Sequence, residues 1–176
     1  DPSTSLNPRQ RIGQLLDAPL KLNTDLDAVA REQRIYQTLR QVGLLPDHAN
    51  YYPHRLASGQ KQRIALARAL ILQPKVIVAD EALASLDMSM RSQIINLMLE
   101  LQEKHGISYI YVTQHLGMIK HISDQVIVMH EGEVVERGST AEVLASPLHD
   151  LTKRLISSHF GEALTADAWR RDSGHF

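Results

Sequence analysis

The chain has no cysteine. That absence excludes a disulfide framework, a thiol nucleophile, a cysteine-ligated zinc and an iron–sulfur cluster, and it is compatible with a reducing compartment. An excess of one charge is missing too. Lys+Arg 19 against Asp+Glu 20 gives a net charge of −1, so no global bias toward nucleic acid or anionic lipid exists. Long apolar runs are also lacking. Stretches such as Ala69-Leu70-Ile71-Leu72 are only a few residues long, whereas a membrane span needs about 20. The expectation is a chain that does not itself cross a bilayer, with no signal peptide at its start. The first residue is Asp1 rather than Met, which suggests further sequence upstream. What is present is 176 residues, 43% of them hydrophobic, enough to bury the core of one ordinary domain.

Two stretches differ in character. Residues 1–57 are polar and interrupted by Pro2, Pro8, Pro19, Pro46 and Pro53. Between these breaks Leu26, Val29, Ile35, Leu39 and Val42 fall on one helical face, with Thr24 or Asp25 as cap and Gly43 as terminator. Short helices and loops are expected here, and no strand. From Ser58 onward helices and strands alternate. Lys61–Leu72 reads as a helix stopped by Pro74, and Val76–Ala79 as a strand buried on both faces. Met88–Lys104 is a helix with Ile94, Ile95, Leu97, Met98 and Leu101 on one side, closed by Gly106. Tyr109–Val112 is a second buried strand, and 125–130 and 133–137 form a hairpin about Glu131-Gly132. Helices at about 141–145 and 151–159 follow, then a polar tail. The order implies an α/β fold with a mostly parallel sheet, whose ligands sit at the carboxyl ends of its strands.

Those ends carry the chemistry. The first strand stops at Asp80-Glu81. Such a pair suits Mg²⁺–nucleotide chemistry, one carboxylate holding the ion and the other orienting a nucleophilic water. Alone it reads as two solvated acids. The second strand stops at Thr113-Gln114-His115, where the imidazole could reach a phosphate or simply hold the turn.

Order and spacing change the odds. Residues His54 to Leu70, with Leu56-Ala57-Ser58-Gly59-Gln60 at their centre, resemble the signature motif and helix of ABC-transporter ATPases. Val76–Ala79 with Asp80-Glu81 is similar to their Walker B strand, Ala84-Ser85-Leu86-Asp87 to their D-loop, and Thr113-Gln114-His115 to their switch histidine. The resemblance implies the C-terminal part of a RecA-like P-loop core plus an α-helical subdomain. It would divide into a helical subdomain at 1–75, core at 76–145 and a C-terminal helix and tail at 146–176.

It further implies ATP and Mg²⁺ as cofactors, Glu81 and His115 as catalytic residues, and Asp80 as the metal ligand. Ser58, Gly59, Gln60 and Asp87 would act at a composite site made with a second ATPase subunit. A Ser-Gly-Gln turn opening a helix offers free N–H groups and the positive end of a dipole to an anion. The partners implied are that second subunit, identical or not, transmembrane permease subunits and, indirectly, a periplasmic peptide-binding protein, with no nucleic acid. The location would be the cytoplasmic face of a bacterial inner membrane.

Ser5-Leu6-Asn7-Pro8-Arg9, Tyr52-Pro53-His54 and Ser146-Pro147-Leu148-His149 are similar to the oligopeptide/dipeptide group of these ATPases. Leu56–Arg63, residues 82–91 and the tail from Phe160 to Arg170 resemble subunits of an antimicrobial-peptide-resistance system of Gram-negative bacteria.

Three departures stand out. The Gly-rich phosphate loop (Walker A) and the Q-loop glutamine are absent from this sequence, so this stretch alone is expected to be inactive. The usual Leu-Ser-Gly-Gly-Gln reads Leu56-Ala57-Ser58-Gly59-Gln60, so the hydroxyl that meets γ-phosphate in the family is lost at Ala57 unless Ser58 replaces it. Ala82-Leu83 stands for the customary Pro-Thr. The Ala57 departure favours an alternative, a non-catalytic docking subunit paired with an active one; an ABC ATPase of DNA repair or translation is a further alternative.

Nine histidines show no i, i+4 metal-ligand pair. Arg63 and Arg68 read as structural ion pairs rather than phosphate ligands, and Met88, Met90 and Met98 as core packing. Trp169 either anchors the tail or stands exposed.

Overall fold

Three acceptor side chains start helices where the chain needs them. Asp27 Oδ1 takes the Ala30 N–H at 2.8 Å and opens α2 (Ala28–Gln41). Asp87 Oδ1 takes the Met90 N–H at 2.9 Å and opens α4 (Met88–His105). Ser139 Oγ takes the Glu142 N–H and opens α6 (Thr140–Ala145). Each satisfies a donor that the first helical turn leaves unpaired. Gly43 (φ +72°) ends α2 and Gly106 (φ +63°) ends α4, in left-handed conformations that glycine adopts without a Cβ clash.

The computed structural model describes residues 5–84 and 86–160. The remaining elements, in chain order with those above, are α1 (Ile12–Asn23), two 3₁₀ turns (Pro46–Asn50, Pro53–Arg55), α3 (Ser58–Leu70), β1 (Val76–Asp80), β2 (Ser108–Val112), α5 (Leu116–Ile122), β3 (Gln125–His130), β4 (Glu133–Ser139) and α7 (Asp150–Phe160). The chain forms two compact units, 1–112 and 113–176.

In the first unit Ile12, Leu16 and Leu20 of α1, Leu39 and Val42 at the end of α2, and Ile64 and Ile71 in and after α3 are completely buried. They make the core of the helical part. β1, α4 and β2 form a parallel crossover, with Val76 opposite Ser108 and Asp80 opposite Val112. In the second unit β3 and β4 pair antiparallel through Glu131 (φ 49°) and Gly132 (φ +85°), the two positive φ values of a type I′ hairpin. A register shift at Val128/Met129 bends the pair. Val126, Val128 and Val143 bury there, with Ile119, Val135 and Leu151 against them.

Several expectations need correction. Pro19 does not break the chain; it lies inside α1, where it withholds only one N–H, and the buried Leu16 and Leu20 hold the helix together on either side of it. The cap of α2 is Asp27, not Thr24 or Asp25, because the helix starts two to three residues later; Val29, expected on the apolar face, is exposed. The signature helix begins at Ser58 rather than Lys61. β1 and β2 are not buried on both faces. Ile77 and Ala79 are buried, but Val76, Val78, Ile110 and Val112 on the opposite face are each at least half exposed. Nothing among the described residues covers that face. Helix α5 was not expected. Met98 packs in the core as anticipated, whereas Met88, in the first turn of α4, is exposed. The tail, with Trp169, lies outside the described residues.

Candidate functional site

The acid pair ends β1. Asp80 and Glu81 are both exposed, at the carboxyl end of a parallel strand. Glu81 takes a left-handed backbone (φ 45°), which a non-glycine residue adopts only when its surroundings hold it there. Those surroundings are identifiable. The Glu81 N–H donates to the Val112 carbonyl of β2 at 2.9 Å, and the Ala84 N–H donates back to the Glu81 carbonyl at 3.1 Å. Leu83 and Leu86 sink into the core. The side-chain amide of Gln62, on α3, donates to the Ala82 carbonyl at 2.7 Å, and the Arg91 guanidinium, on α4, donates to the Leu86 carbonyl at 3.0 Å. The loop after the strand is thus clasped from two helices. At the Ala82-Leu83 departure Leu83 supplies a buried side chain, whereas the Ala82 acceptor is a backbone carbonyl that any residue would offer.

The signature turn lies at the start of α3. Ala57 is the N-cap, and its N–H is taken by Gln60 Oε1 at 3.0 Å. The Gln60 amide also lies 3.3 Å from His48 Nε2. Gln60 therefore folds back on its own helix start. Ser58 is exposed in the first turn. Gly59 is buried under the Met90 thioether, which occupies the space that a Cβ at Gly59 would need. Through this contact the structure brings the signature turn beside the start of α4, which Asp87 caps.

Asp87 is thus an N-cap. His115, in the second unit, precedes α5; its N–H donates to Thr113 Oγ1 at 3.1 Å in a tight local turn, and its ring is half-buried. Ser58, Gly59, Gln60, Asp80, Glu81 and Asp87 share the first unit, and His115 belongs to the second.

Arg63 and Arg68 are structural, but their partners are backbone carbonyls rather than acids. Arg63 donates to Val42 O at 2.8 Å, capping the end of α2, and Arg68 donates to Ser5 O at 3.1 Å. Met90, read as core packing, is partly buried and packs on Gly59, whereas the roles of Gln62 and Arg91 were not read from the sequence. For Gln62 a signal existed: its spacing from Gly59 and Leu66 puts an amide on the buried stripe of the helix.

No group of three or more His, Asp or Glu side chains able to hold a metal exists among the described residues. Mg²⁺ needs only one or two carboxylates together with substrate phosphates and waters. The exposed Asp80 and Glu81 carboxylates are of the chemical kind that could hold such an ion. No helix of the described residues is long and apolar enough to cross a membrane.

A family model described as ABC transporter matches residues 2–84. Among solved structures, cbiO1 from Clostridium perfringens, part of the ABC transporter complex cbiONQ, aligns with a TM-score of 0.73 at 27% identity, covering 98% of this chain and 64% of that one. The dimeric cassette MJ0796 bound to ADP and Pi aligns with a TM-score of 0.65 at 28% identity, covering 77% and 59%. The fold is similar to that of ABC-transporter ATP-binding cassettes, and residues 2–84 carry the match to that family's sequence. Over 172 residues, 98% of its length, the chain is 80% identical to the putrescine export system ATP-binding protein SapF of Escherichia coli K12. The same identity and coverage hold for the peptide transport system ATP-binding protein SapF of Salmonella typhimurium LT2. The dipeptide transport ATP-binding protein DppF of Haemophilus influenzae is 43% identical over 158 residues, 90% of this chain and 48% of that protein. The chain spans 64% of the length of the two SapF proteins.

Proposed function

We propose that this chain is a portion of the ATP-hydrolysing subunit of a bacterial ABC transporter, most closely of the peptide-transport kind. It would work on the cytoplasmic face of the inner membrane as half of an ATPase dimer beneath permease subunits. The observation that carries the reading is the loop after β1, where Asp80 and Glu81 stand at a strand end and Glu81 is held in a left-handed backbone from β2 and two helices. A parallel strand end is where α/β folds bind nucleotides.

In this reading Asp80 supports Mg²⁺ through water, and the ion, when bound with ATP, offsets negative charge on the phosphates. Glu81 orients the attacking water and accepts its proton. His115 senses the γ-phosphate. Ser58 and the free N–H groups at the start of α3 meet the partner subunit's nucleotide, aided by the positive end of the helix dipole. Gly59 lets Met90 close against that turn, Gln60 fixes its shape, and Asp87 carries the contact across the dimer by ordering the start of α4. The subdomain limits 1–75, 76–145 and 146–176 belong to the same proposal. The names of the relatives differ between peptide and putrescine, and we favour a peptide as cargo on the strength of the DppF-like sequence.

The test is Glu81→Gln in the longer subunit assembled with its partner. The variant keeps shape and loses the base, so ATP binding should persist while turnover falls by about 10²–10⁴. Unchanged turnover would favour the second reading, a docking subunit paired with an active ATPase, to which the missing Ala57 hydroxyl already points.

A further inference from the structure

Gln62 is at odds with its surroundings. It sits on the buried stripe of α3, 6% exposed, and spends its amide N–H on the Ala82 carbonyl. Its other end, Oε1, is buried and has no hydrogen-bond partner among the described residues. A buried acceptor left unpaired opposes folding and offsets what the bond to the Ala82 carbonyl contributes, so an apolar side chain of the same length, which loses both, should be near neutral for stability. Stability therefore does not account for a glutamine here.

Position offers a better account. Gln62 lies one turn from Gly59 and Ser58, at the end of the helix that faces the partner's nucleotide in the proposed dimer. The carbonyl it grips belongs to the residue after Glu81, whose left-handed backbone (φ 45°) needs external support. The other supports are the Val112 carbonyl on the Glu81 N–H, the burial of Leu83, and Arg91 on the Leu86 carbonyl. Gln62 supplies a hydrogen bond that joins the signature helix to the Glu81 loop. A small rotation or slide of α3 would pull on Ala82 and turn the Glu81 carboxylate with it.

We propose that Gln62 is a positioning residue that couples the signature helix to the orientation of Glu81 in the same subunit. Engagement of the helix start by one nucleotide would thereby set the water-orienting carboxylate for the other. This inference rests on the ATPase reading above, and its test separates the two.

The experiment uses the full-length subunit assembled with its partner and permease, comparing wild type, Gln62→Met and Gln62→Glu. Met keeps the length and apolar stem without a donor; Glu replaces the donor with an acceptor facing a carbonyl. Expected for Gln62→Met is an unchanged or raised Tm, an ATP KM within about twofold of wild type, and kcat lowered by about 10- to 100-fold, the size of effect a slightly misplaced catalytic group produces. Gln62→Glu should lower kcat at least as far. A structural role alone would lower Tm and leave kcat per folded complex intact, and that result overturns the proposal. Wild-type kcat and KM in Gln62→Met overturn it too. A complex with Gln62 intact whose ATP turnover survives Glu81→Gln would instead overturn the ATPase reading, a distinct outcome.

Discussion

Ala57 stands at the N-cap of α3 with an extended backbone (φ −65°, ψ 160°), where a hydroxyl ordinarily accepts a first-turn N–H. Half of a capping box is already built, because Gln60 Oε1 holds the Ala57 N–H. The hydroxyl that would complete it is missing, and Ser58, one residue on, is inside the helix rather than at its cap. Ala57→Ser should therefore stabilise the chain by about 0.5–1 kcal/mol, an upward Tm shift of about 1–4 °C for a protein of this size. Thermal unfolding followed by circular dichroism measures it, and an unshifted Tm would mean that the new hydroxyl faces elsewhere. In the assembled transporter the same change should raise ATP turnover about tenfold if the regained bond also reaches the γ-phosphate in the transition state. The acid pair at 80–81 was legible because an apolar β-branched run stops there. The left-handed backbone of Glu81 was not legible, since it is imposed by contacts from residues 62, 83 and 112.

Among the elements, α1 and α2 are tied by charge as well as by their apolar faces. Asp17 on α1 receives Lys21 at 2.8 Å and Arg31 of α2 at 2.7 Å, and Arg31 also donates to the Leu26 carbonyl in the linker. Burial pushes the Asp17 carboxyl up, but the hydrogen bonds and positive charges of Lys21 and Arg31 outweigh it, and the net shift is below the ordinary 3.8. A carboxylate held lower in the folded chain contributes stability above its unfolded value, and that contribution fades as pH falls through the folded value. Asp17→Asn should thus cost up to about 1 kcal/mol at pH 7. The gap from wild type should close as pH drops below 3.8. Denaturant titrations at several pH values would reveal a pH-independent gap if the pair were inert.

Helices α2 and α4 could be read from sequence because their 3.6-residue apolar spacing agrees with the terminating Gly43 and Gly106, although the N-cap of α2 was placed two to three residues early. Helix α1 was obscured by Pro19, whose local cost is overridden by the burial of Ile12, Leu16 and Leu20. Helix α5, seven residues long, is too short to show a period.

At the scale of the molecule, the pattern of β1 and β2 and their observed burial disagree in an informative way. Both strands are apolar at successive positions, as in sheets covered on two sides. Their shared face nevertheless leaves Val76 50%, Val78 63%, Ile110 54% and Val112 50% exposed, and the register sets Val78 beside Ile110. Contiguous apolar surface of this kind binds dyes and promotes association, and strand edges add open hydrogen-bonding groups. The 176-residue chain produced alone should therefore self-associate at micromolar concentration and enhance the fluorescence of an apolar dye. Val78→Thr with Ile110→Thr keeps β-branched side chains while adding hydroxyls, so the doubly substituted chain should scatter less light and bind less dye. In a longer subunit that covers this face, the same pair should act in the opposite direction, lowering Tm by burying two hydroxyls without assured partners. A monodisperse wild-type chain that binds no dye would show that the face is already covered in solution. Equal tolerance of the pair in both contexts would show that it is left open in the longer protein as well.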